Sequence, residues 1–103
     1  MTKAKLLSVF SFYERELNSL RIWPFSLARR ASDDLLAAHF DAWPAEADRL
    51  EHLHWMTMEA QKLVAEDRVE KAMRWLGFLQ GCLWSAGMFT INELKHHSKG
   101  DGE

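Results

Sequence analysis

The sequence predicts an all-α protein, a compact bundle of four to five helices around a central apolar helix at about residues 68–87. Three observations lead there. Apolar residues recur at helical spacing in every long segment, and no segment alternates apolar and polar residues between turn signals. Helix-start and helix-stop residues punctuate the chain at Trp23-Pro24, Trp43-Pro44, Asp67, Gly87 and Thr90. Finally, residues 74–89 are the most apolar stretch of the chain and hold two of its five tryptophans and three of its five glycines.

The first helix is expected over 3–22. Leu6, Phe10, Tyr13, Leu17 and Leu20 draw one stripe, which Leu7, Val9 and Phe12 widen. Glu14, Arg15, Glu16, Asn18 and Arg21 form the wet side. Pro24 ends this helix, because proline lacks the donor and pushes residue 23 out of the helical region. It also suits the first turn of the next helix, expected over 25–42. There Leu27, Ala31, Leu35, Ala38 and Ala42 share a face flanked by Leu36, Phe40 and Trp43. A start at Ser32, with Asp33 and Asp34 in the first turn, is an alternative.

The third helix begins at Pro44 or Ala45, helped by Glu46 and Asp48 at its positive end. Its expected core face is Ala47, Leu50, Leu53, Thr57, Ala60 and Val64. Trp55 and Met58 fall off that stripe, which makes them candidates for an exposed patch, although packing against the second helix or the central helix is the preferred reading.

In the central helix one face holds Val69, Ala72, Leu76, Leu79, Leu83 and Ala86. A second holds Met73, Gly77, Gly81, Trp84 and Met88, and a third holds Trp75, Phe78, Cys82 and Phe89. A helix apolar on all faces is expected to be enclosed on all faces. Asp67 with Glu70 reads as its N-cap and capping box, and Gly87 as its left-handed stop. Gly77, Gly81 and Ser85 line one side, where another backbone can come close, from this chain or from a second copy. Gln80 needs partners if buried: a backbone carbonyl, an indole or a ligand. Thr90 with Glu93 forms a second capping box and opens a last helix with Ile91, Leu94 and His97 facing inward. The expected domain covers 1–98, with a flexible tail over 99–103.

Residues 70–97 carry Arg74-Trp75-Leu76-Gly77-Phe78, Gln80-Gly81, Leu83-Trp84, Gly87 and Thr90-Ile91-x-Glu93-Leu94-Lys95. This pattern resembles the C-terminal signature of small uncharacterised helical proteins encoded by bacteriophages and prophages. The resemblance covers about a quarter of the chain. It implies a phage or prophage origin and a bacterial cytoplasm, and it carries no site residues.

Composition narrows the function classes. A formal net charge of −2 is not that of a bulk electrostatic nucleic-acid binder, nor is it acidic enough for a DNA mimic. The single cysteine, Cys82, has no internal disulfide partner and packs as a small hydrophobe. Lys3, Lys5 and the short apolar run after them lack a small-residue cleavage site and are not read as a signal peptide. Residues 75–91 are too short and too interrupted for a membrane span.

Two Glu-x-x-His pairs, Glu51 with His54 and Glu93 with His96, have bundle-metal spacing, but solvated surface is the expectation for both. His52 with His54 and the adjacent His96 and His97 lack ligand spacing. There is no nucleophile elbow and no phosphate loop. No catalytic residue, metal ligand or cofactor is therefore assigned.

The preferred function is protein–protein interaction without enzymatic activity, as a homo-oligomer, a dimer foremost, that binds a host or phage protein. Trp55, Met58, Trp75, Phe78, Gly81 and Trp84 are the expected interface residues, since tryptophan buries much area with few rotors. The alternative is nucleic-acid or nucleotide binding through Arg15, Arg21, Arg29 and Arg30, around the junction of the first two helices.

Overall fold

Thr2 starts the first helix: its side chain accepts a hydrogen bond from the Lys5 backbone N–H at 3.0 Å. The computed structural model describes residues 1–22, 24 and 46–99. Four helices lie among them: α1 over Lys3–Ser19, α2 over Glu46–Ala65, α3 over Val69–Ser85 and α4 over Ile91–Ser98. No strand occurs among the described residues. None of the described helices is long and apolar enough to cross a membrane. The helix expected over 25–42, with its alternative start at Ser32, lies outside the described residues, as do residues 100–103.

One device ends the first three helices. In α1, Ile22 N–H donates to the Leu17 carbonyl and Arg21 N–H to the Asn18 carbonyl, with Arg21 at φ 60°. In α2 the same pair runs from Arg68 to Leu63 and from Asp67 to Val64, with Asp67 at φ 64°. In α3 it runs from Met88 to Leu83 and from Gly87 to Trp84, with Gly87 at φ 77°. These are Schellman endings, which need one left-handed residue each.

Gly87 holds that role as expected. The other two positions correct the sequence expectations. α1 ends at Ser19, before Pro24 can act, and Leu20 points to solvent instead of joining the core stripe. The left-handed turn at Arg21 is the cause, since it folds Ile22 back against the core. Asp67 is not the N-cap of α3. Arg68 takes that place without a side-chain bond, while the Asp67 carboxylate pairs with the Lys3 ammonium. That hydrogen bond, and then the Lys3 charge, hold the Asp67 carboxyl below its usual range.

A side chain in the left-handed region carries a Cβ clash of about 1–2 kcal/mol, partly offset by the smaller entropy of the unfolded non-glycine chain. Arg21→Gly is thus expected to raise stability by about 0.5–1 kcal/mol. A urea titration followed by tryptophan fluorescence reads this as a higher midpoint. A lower midpoint would show that Arg21 makes a contact stronger than its strain.

The core joins Leu6, Phe10, Tyr13 and Leu17 of α1 to Leu53, Met56, Ala60, Leu63 and Val64 of α2. Ala72, Leu76, Leu79 and Leu83 of α3 close it, and Leu94 of α4 seals one end. α2 packs broadly on both α1 and α3, whereas α1 and α3 meet only narrowly. Among the described helices the middle position therefore belongs to α2. This revises the expectation that α3 is enclosed on each side. It buries one stripe, while Met73, Phe78 and Trp84 stay 45%, 55% and 53% exposed. α2 reaches one flank of α3 through Trp55 on Trp75, and α4 reaches the other through Ser98 on Gln80. No described helix meets the remaining face.

Candidate functional site

The open face of α3 is set by helical geometry. With Ala72, Leu76, Leu79 and Leu83 turned inward, residues about half a turn away must point outward. These are Glu70, Met73, Arg74, Gly77, Phe78, Gly81, Trp84 and Ser85, all exposed, of which Met73, Phe78 and Trp84 are large and apolar. A Cβ built at Gly77 or at Gly81 would meet nothing within 4 Å. The two glycines therefore admit no close backbone among the described residues. Each still weakens the helix by about 1 kcal/mol against alanine.

Phe78, Gly81 and Trp84, three of the six expected interface residues, share this face. Met58 is exposed on α2. Trp55 and Trp75 are half-buried against the core, their rings tilted together with centroids 6.2 Å apart. His52 stacks on Trp55, and the Lys71 ammonium lies 5.7 Å over Trp75. This pair forms a seam between α2 and α3. Sequence patterning did not single out Met73 or Gly77 as interface residues, although it placed both on one helical face with Gly81 and Trp84. Ile91, expected to face inward, is exposed. It stands on the first turn of α4, where only Leu94 reaches the core.

An open groove of about 460 Å³ extends the face between α3 and α4. Gly81, Trp84, Ile91 and Leu94 make its apolar wall, Gln80 its floor, and Lys95 and Lys99 part of its rim.

Beneath the groove lies a polar hub. The Gln80 side-chain N–H₂ donates to the Tyr13 hydroxyl at 3.1 Å and to the Ser98 hydroxyl at 2.7 Å, with the Leu94 carbonyl at 3.4 Å. The Tyr13 hydroxyl in turn lies 2.9 Å from Nδ1 of His97. Gln80 thus bonds α1 and α4 at once, which answers its expected need for partners. Burial pushes the Tyr13 hydroxyl above its ordinary pKa, while the Gln80 bond pulls it down less.

The candidate chemical groups have structural uses. His54, expected on a solvated face, is buried, and its Nδ1 bonds the Ile22 carbonyl. The fold brings α1's end over α2 there, which residue spacing within α2 cannot show. Glu93 accepts from the Thr90 N–H at 2.9 Å, completing the expected capping box, and its pKa is depressed by the Thr90 bonds. Cys82 is half-buried, and burial pushes its thiol up, away from the reactive thiolate. Among the described residues no group of three or more His, Cys, Asp or Glu could hold a metal.

Arg15 and Arg21 are exposed on α1 and its end, with Arg15 donating to Ser11 at 3.4 Å. Arg29 and Arg30 lie outside the described residues. No family model, curated protein or solved structure matches this chain.

Proposed function

We propose that this chain is a non-enzymatic protein-binding module that pairs with a second copy through the outer face of α3. The observation that carries it is the Gly77–Gly81 notch, unfilled and flanked by exposed Met73, Phe78 and Trp84. Scattered exposed apolar residues are ordinary, but several on the open side of one helix, around a notch, support a contact surface.

A two-fold contact must be self-complementary. This face is so in antiparallel register about the midpoint of the notch. Gly77 then lies opposite Gly81 of the second copy, which lets the helices approach closely. Arg74 lies opposite Trp84 of the second copy, a cation–π pairing of about 0.5–1 kcal/mol at an exposed site. The resemblance of residues 70–97 to phage and prophage proteins supports a host or phage protein as the further partner, in a bacterial cytoplasm.

Sedimentation equilibrium across the micromolar range tests the pairing. The native chain is expected as a dimer. The double variant Phe78→Asp, Trp84→Asp is expected to weaken association by about a hundredfold or more, as for loss of hot-spot residues. Its far-UV circular dichroism should not change, since both side chains stand on the open face. A native chain that stays monomeric throughout removes the pairing.

A further inference from the structure

We propose that His97 is a proton-operated latch that docks α4 on the body of the protein when neutral and releases it when protonated. A neutral ring satisfies every hydrogen bond at the hub. Gln80 donates to the Tyr13 oxygen, so the Tyr13 O–H is free to donate onward, and Nδ1 of His97 is its acceptor. An acceptor Nδ1 carries no hydrogen, so the docked ring is the neutral Nε2–H tautomer. On protonation, the His97 Nδ1–H would join the Gln80 N–H as a donor to the Tyr13 oxygen, and the Tyr13 O–H would face a donor in place of its acceptor. One of them must lose its partner in a part-buried site.

The surroundings act in the same direction. The rings of Phe12, Tyr13 and Phe89 stand edgewise around the imidazole, with centroids 5.1, 5.5 and 4.9 Å away. Four charged or titratable groups act on it as well. From α1, Glu16 favours the charged ring and Lys5 opposes it. From α4 itself, Glu93 favours it and His96 opposes it. α3 and its exit turn present the neutral Gln80 amide, through Tyr13, and the Phe89 ring. Burial first, with the His96 and Lys5 charges, outweighs the carboxylates and holds His97 below its ordinary value of 6.5.

The folded pKa is depressed, so the undocked chain takes the proton first as pH falls. Docking free energy from His97 is full above about 6.5, the undocked value, and is lost as pH falls through the lower docked value. α4 is the element most open to such control. It is eight residues long and buries one side chain, Leu94. Its other ties to the body include the hub bonds of Gln80 and Tyr13 and the ring contacts of His97 itself. Release uncovers Phe12, Tyr13 and Phe89 as an apolar surface. The latch does not depend on the pairing of α3 faces.

Hydrogen–deuterium exchange of the full chain tests it, comparing about pH 7.5 with about pH 5 after correction for chemical exchange. Protection of residues 91–98 is expected to fall about fivefold or more at the lower pH, the equivalent of one net hydrogen bond, while α2 keeps its protection. Tyr13→Phe should leave 91–98 weakly protected at both pH values. His97→Phe, which keeps a ring in the cage but cannot titrate, should abolish the pH step. An unchanged wild-type protection overturns the latch, as does a pH step that survives in His97→Phe.

Discussion

Tyr13→Ala is expected to cost about 3–5 kcal/mol. The side chain is fully buried. Its ring lies against Phe12, Phe89 and His97, with centroids 5.7, 5.6 and 5.5 Å away. Its hydroxyl is shared between the Gln80 amide and His97. Alanine leaves a cavity where α1, α3 and α4 converge and strips a partner from two polar groups. A domain of this size has roughly 5–15 kcal/mol in total, so the variant should be marginal at room temperature. Tyr13→Phe keeps the ring and is expected to cost only about 1–2 kcal/mol. Urea unfolding of both variants, followed by tryptophan fluorescence, separates ring packing from hydrogen bonding. A loss below about 1 kcal/mol for the alanine variant would mean that the three helices do not meet through this side chain.

Leu79→Ala is expected to cost about 2–5 kcal/mol, and Phe78→Ala, one residue away, less than about 0.5 kcal/mol in the monomer. Leu79 is fully buried among the α3 stripe, whereas Phe78 stands on the open face. Composition alone ranks them the other way, because phenylalanine has more area to bury. The pair is therefore a direct test of which side of α3 is covered. Equal losses in dilute protein would show that both faces are buried. The two variants should then exchange roles in association. Phe78→Ala should loosen the dimer, and Leu79→Ala should act on it only through folding.

Much of the scaffold is legible in short-range pattern. Leu6, Phe10, Tyr13 and Leu17 fall on the expected stripe of α1, and Leu76, Leu79 and Leu83 on that of α3. The Thr90–Glu93 box and the stop at Gly87 also form as expected. Each depends on residues within a few positions of one another, where helical geometry leaves one outcome.

The misplacements have a common cause. Arg21 and Asp67 adopt left-handed backbone without being glycine, where Ile22 packs on the core beyond the first turn and Lys3 pairs with Asp67 at the second. Propensity disfavours both positions, and tertiary contact overrides it. The apolar run over 74–89 promised full enclosure, but apolar composition states only that burial would be favourable. It cannot say which neighbours exist to provide it. The expected interface set divides for the same reason: Trp55 and Trp75 find each other, while Phe78, Gly81 and Trp84 find no described partner.

What sequence alone determined is the helical class, most helix ends and the inward stripe of α1 and α3, all consequences of a period near 3.6 residues and local capping. What the tertiary structure decided is the placing of α2 between α1 and α3, the open side of α3, and the hub. Tyr13 lies 67 residues from Gln80 and 84 from His97, so no local rule links them. Their meeting depends on chain reversals whose angles are set by packing, and the lowered pKa of His97 follows from that packing.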